Sequence, residues 1–159
     1  MLLAMTGSGV IASEAKQSCD REAPVIIVHS LDQATAGLTA AARAGRAVVI
    51  ASPPGAGSYA GPGWFRELIA MARDAVPAAC FAAFLDCGDD VGAALAAIRS
   101  EIQGVVFTGR ADVARRLADI ARQHGVRFET TRAADGLDLG DDFFASPESL
   151  ARRCAEFFR

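Results

Sequence analysis

The segment CFAAFLDCGDDVGAALAAIRSEIQGVVFTG, residues 80–109, decides how the chain folds. It opens on an apolar run, CFAAFL (80–85), that breaks at Asp86, Cys87 and Gly88. Asp90 stands where it can cap a helix, and Ala94, Leu95, Ile98 and Ile102 then recur on one helical face. A second apolar run, GVVF (104–107), follows. Two short apolar runs joined by an amphipathic helix make a strand–helix–strand unit. Its strands are parallel and buried on both faces, and its crossover is right-handed.

The same rhythm extends in both directions. PVIIV (24–28) and AVVIA (47–51) read as two earlier strands, and VRFETT (126–131), with period-two alternation, as a weaker fifth. Ser30 and Gln33 form a capping box before the stripe Leu31, Ala34, Leu38 and Ala41, and Gly45 ends that helix. Trp64, Phe65, Leu68, Ile69 and Ala72 mark the second helix, which stops before Pro77. Val113, Leu117, Ile120 and His124 mark the fourth, with Gly125 behind it. Ser146 caps the fifth and Pro147 suits its first position, with Leu150, Cys154 and Phe157 facing inward. Five βα units with short connections make one α/β domain over residues 24–159. In such sheets reactive side chains collect where strands end, here at His29 and Ser30, Ser52, Asp86 and Cys87, Thr108 and Gly109, and Thr131.

Residues 1–23 carry neither period and are expected to be a disordered extension outside the fold. Within them VIASEAKQS (10–18) resembles a short peptide that recurs in bacterial reading frames translated through interspersed repeats, so a downstream start is expected. The net charge of −3 and pI near 5.3 give no footprint for nucleic acid or an anionic membrane surface. No apolar run approaches the roughly 20 residues that span a bilayer, and a cytoplasmic location is expected. The one lysine, Lys16, lies outside the predicted fold, which leaves Schiff-base chemistry without its amine. Cys19, Cys80, Cys87 and Cys154 form no metal-finger spacing. They are expected to be reduced thiols, with Cys80 and Cys154 at core positions.

SPPGAGSYAG (52–61) follows a strand and precedes a helix. Gly55, Gly57 and Ala60 match G-x-G-x-x-A, a dinucleotide fingerprint, with Asp86 at the next strand end in reach of a ribose hydroxyl. Against that reading, SYAGPG with Pro62 delays the expected helix start, and the G-K-[ST] ending of a phosphate-binding loop is missing. The bland alternative is a tight strand-to-helix turn.

ASPPGAGSYAG (51–61) followed by LDCGDDVGAALAAIRSEIQGVVFTG (85–109) resembles the first half of the class II fructose-bisphosphate aldolases. Ser52, Gly55, Ala56, Tyr59, Ala60 and Gly61 match that family's first loop, and Asp86 and Gly88 match its L-D-H-G motif. GVRFET (125–130) resembles its fifth strand, and ASPESLARRCAEFF (145–158) a following helix. The resemblance spans residues 24–159. It implies a substrate loop at Ser52, Gly55, Ala56, Tyr59, Gly61, Gly88 and Gly109, a proton-transfer role for Asp86, and a zinc ion that polarises a carbonyl. Cys87 replaces the family's metal histidine, Thr131 falls where a metal-associated glutamate is expected beside Glu129, and the chain ends before the remaining metal histidines.

The expected fold is therefore five βα units of a partial aldolase-type TIM barrel, the alternative being a flavodoxin-like doubly wound sheet. The expected function is an aldolase-like domain that has lost class II catalysis and serves as a binding or assembly module. One alternative is a small lyase on a carbonyl or sugar-phosphate substrate, reusing Asp86 with Cys87 and His29 as a metal or thiolate–imidazole pair. A second alternative is a dinucleotide-binding domain. No cofactor is expected, zinc standing as the alternative. The open sheet predicts a homo-oligomer, or a partner chain that covers it.

Overall fold

A computed structural model describes residues 23–159. The extension expected over residues 1–23 thus falls, apart from Ala23, outside the described residues. Six parallel strands form one sheet: β1 (Val25–Ile27), β2 (Val48–Ala51), β3 (Phe81–Asp86), β4 (Gly104–Val106), β5 (Arg127–Glu129) and β6 (Leu137–Asp138). Their spatial order is β5-β4-β3-β2-β1-β6. The helices are α1 (Leu31–Arg43), the single turn α2 (Ala56–Tyr59), α3 (Gly61–Ala75), α4 (Val91–Arg99), α5 (Ala111–Gln123) and α6 (Pro147–Phe157).

Consecutive strands lie side by side, and the long helices pack in the same sequence, α6 on α1, α1 on α3, α3 on α4 and α4 on α5. A doubly wound sheet would reverse its strand order at a switch point. Here the helices form one layer on one face, and β1 lies between β2 and β6, so the flavodoxin-like alternative is excluded. The sheet is an arc of an aldolase-type barrel, not closed. Pairing of β6 with β1, Ile26 beside Leu137, puts β6 where the last strand of a closed eight-stranded barrel meets the first.

Side-chain alternation divides the core. Ile26, Ile50, Ala83, Leu85 and Val105 face the helices and join the main cluster with Leu38, Phe65, Ile98 and Leu117. Ala82, Phe84 and Val106 turn the other way and form a small second cluster with Val49 on the concave face. Gly104 has no side chain because Phe84 lies across it: a Cβ there would sit 2.5 Å from the ring. The caps read from sequence form, with Ser30 accepting from Gln33 N, Asp90 from Ala93 N and Ser146 from Ser149 N.

Three features depart from the sequence reading. The strand β6 was not foreseen, and the last helix follows it instead of β5. The run after Gly55 does not delay a helix: α2 begins at Ala56, and Gly61, at φ 83°, turns the chain into α3. Cys80 is exposed and disulfide-bonded, whereas the free thiols Cys87 and Cys154 are buried.

Residues 130–136 connect the two edges of the sheet. The segment is a strap across the concave side, where Arg132 and Ala133 lie over Val25, Phe84 and Val106, and Arg132 in its middle is tied to β3.

Candidate functional site at the strand ends

Asp86 closes β3 on the concave side, in register with Phe84, and only 3% of it is exposed. A carboxylate buried this far needs donors to replace water. Gly55 N and Gly88 N each donate to its Oδ1 at 2.8 Å. Arg132 adds Nη2 to Oδ1 at 3.0 Å and Nε to Oδ2 at 2.5 Å, a bidentate pair. Gly55 and Gly88 have φ of 72° and 57°, the left-handed region that lets their amides turn toward the carboxylate without a Cβ penalty. The Asp86 amide donates to Ser52 Oγ at 2.9 Å, and that hydroxyl donates to Pro53 O. Glycine loop, strand end and strap are therefore joined at one carboxylate.

Tyr59, on the short α2, is 69% exposed. Partial burial and then the Asp86 charge push its phenol above the usual value, so it stands within electrostatic reach of that carboxylate. Ala56 is fully buried beneath the loop, and Gly61 only redirects the chain. Gly88 also accepts from Thr108 N at 2.7 Å, which ties β3 to the end of β4. A Cβ on Gly109 would strike the Phe107 ring, so that glycine serves packing. Glu129 and Thr131 are exposed on β5 and the strap.

Cys87 points the opposite way. It is fully buried on the helix side against α2, where a Cβ on Gly57 would approach its Sγ to 2.6 Å. Its thiol contacts Leu85 O at 3.9 Å. Burial first, then the charges of Asp86 and Asp90, push this thiol up to about 12. His29 is engaged elsewhere, with Nε2 2.7 Å from Asp138 Oδ1, an oxygen that also accepts from Gly140 N at 2.8 Å. The structure does not bring Asp86, Cys87 and His29 together, so neither the thiolate–imidazole pair nor the shared metal site forms. The donor set does not fit zinc, because the thiol at the metal-histidine position is packed into the core on the helix side, away from Asp86, and His29 is held by Asp138. Among the described residues no cluster of three or more histidine, cysteine or acidic side chains could hold a metal ion.

The glycine loop is no better placed for a dinucleotide. Gly55 N–H, a donor a pyrophosphate would need, already serves Asp86. Asp86 in turn faces the loop and Arg132 instead of an open ribose site.

No family model matches the chain, and no curated protein matches it. Solved structures do. One is a protein of Coccidioides immitis provisionally named a fructose-1,6-biphosphate aldolase, 18% identical, with a TM-score of 0.56. The match covers 76% of this chain and 49% of that one. The chain thus has an aldolase-like fold and spans about half the length of that structure.

Three residues of this region escaped the sequence reading or entered it in another role. Arg132 lies in TTRAADG (130–136), which has no period and no motif. A rule could have found it: an aspartate at a buried strand end needs a cation, and every cation in the folded part is an arginine. Asp138 sits in a strand of two residues, too short to register. Gln33, read as a capping-box partner, is fully buried. It accepts from His29 N at 2.7 Å and donates to Leu139 O at 2.7 Å, and so stitches β1 to the end of β6.

Proposed function

We propose that this chain is an aldolase-like domain that does not run the class II aldolase reaction and serves as a binding or assembly module, its concave sheet face receiving a second chain. One observation carries this reading. Asp86, the residue that resemblance assigns to proton transfer, is engaged by four donors, two of them from Arg132. A general base needs an accessible lone pair and no fixed cation on it. Here the carboxylate acts as the knot of three chain segments.

The concave face supports the assembly half of the reading. A cleft of about 260 Å³ lies over Val25, Val49, Ala51, Phe84 and Val106, apolar side chains that a closed barrel would bury. The experiment is a zinc-supplemented assay of the purified full chain for cleavage of fructose 1,6-bisphosphate, and for proton exchange on the triose-phosphate half. No turnover above the buffer rate is expected. Zinc-dependent turnover that disappears in Asp86→Asn overturns the reading.

A further inference from the structure

A groove of about 620 Å³ runs between α1 and α6 on the outer, helical face, away from Asp86 and from the concave sheet. Its walls are apolar or small, with Leu31, Ala36 and Ala40 on one side and Leu150, Ala151 and Phe158 on the other. Both helices follow parallel strands and run the same way, so the groove has two distinct ends. Asp32 and Glu148 stand in the first turns at one end. Arg43, Arg159 and Arg46, whose guanidinium lies 5.8 Å from the Phe158 ring centroid, stand at the other. At the acidic end, just before the Ser146 cap, Phe144 is 96% exposed and rests edge-on against Phe143, which is itself half exposed.

We propose that two copies of this chain pair groove to groove, antiparallel about a twofold axis. That axis sets the acidic end of each groove against the basic end of the other, so the charge match occurs twice. It also carries each Phe144 to the partner's Arg43–Phe158 end, where an aromatic ring meets an apolar wall and a guanidinium. A twofold contact is self-complementary and closes at two copies without propagating into a fibre. A second copy is the favoured occupant because this chain carries both halves of the fit, the exposed knob and the oppositely charged groove end.

Sedimentation velocity of the full chain across the micromolar range tests this. A concentration-dependent dimer that weakens with added salt is expected. Phe144→Ala removes an exposed side chain and leaves the thermal midpoint unchanged, while the dissociation constant rises at least about tenfold. Ala151→Arg, at an exposed helical position, blocks the groove with the same effect. Arg43→Glu weakens pairing, and adding Asp32→Arg to it restores the dimer. A monomer at every concentration overturns the proposal. So does a dimer indifferent to Phe144→Ala and Ala151→Arg, which would assign assembly to another face, or a charge exchange that fails to restore pairing.

Discussion

Asp86 and Cys87 are neighbours in sequence with opposite fates, because successive strand residues point to opposite faces. Asp86 faces the strap and needs Arg132. Arg132→Ala removes the cation from a carboxylate whose side chain is 5% exposed. Since the arginine itself is 44% exposed, solvent tempers the loss, and a destabilisation of about 1–2 kcal/mol is expected in urea unfolding. The same variant frees the strap, and dye fluorescence over the concave apolar floor should rise. Unchanged stability together with unchanged dye binding would contradict the role given to Arg132. Cys87 faces the core. Its thiol keeps its proton to about 12 in the folded chain, whereas an unfolded cysteine releases it near 8.5. Between these values the folded state holds the extra proton, so stability falls as pH rises, by at most about 1.4 kcal/mol per pH unit for this one thiol. Cys154, raised to about 11 by burial and Asp142, adds to the slope. Unfolding midpoints measured from pH 8 to 11 should drop, and Cys87→Ala should flatten the drop. A wild-type curve that stays level over that range would contradict the buried, protonated thiol.

At the scale of elements, legibility followed burial. The strands β1 to β4 are apolar on both faces or nearly so, and they announce themselves as short runs rich in Val, Ile, Ala and Phe. The caps at Ser30, Asp90 and Ser146 were legible because a side-chain oxygen before an apolar stripe serves a local need. β6 was not legible, because two residues cannot display a period. It is held from outside its own sequence by Gln33, whose amide bridges His29 N and Leu139 O. Gln33→Leu keeps the bulk and leaves both backbone groups unpaired, so a loss of about 1–3 kcal/mol is expected. Hydrogen exchange should locate the damage: residues 137–139 should lose protection while β2 to β4 keep theirs. Uniform loss across the sheet would show that β6 is not separately held. The candidate site was legible in the same uneven way. Asp86, Gly55 and Gly88 belong to local motifs. Arg132 reaches Asp86 across 46 residues, a pairing no local pattern encodes.

Over the described residues as a whole, six strands and one helical layer make an arc that resembles part of an aldolase barrel, with a strap drawn across its open side. Strand and helix rhythm were enough to reach a parallel α/β sheet, and the loop motifs shared with the class II aldolases pointed from there to an arc of a barrel. They could not show that the strand-end loop closes on Asp86 and Arg132, because that depends on side-chain direction and on a distant arginine. The central proposal is that this loop holds the fold together and does not hold a catalytic metal. The direct measurement is the zinc content of the purified full chain after loading with excess zinc and exhaustive dialysis. The account predicts zinc far below one ion per chain, unchanged in Cys87→Ala. One tightly retained zinc per chain, lost when Cys87 or His29 is replaced, would contradict it.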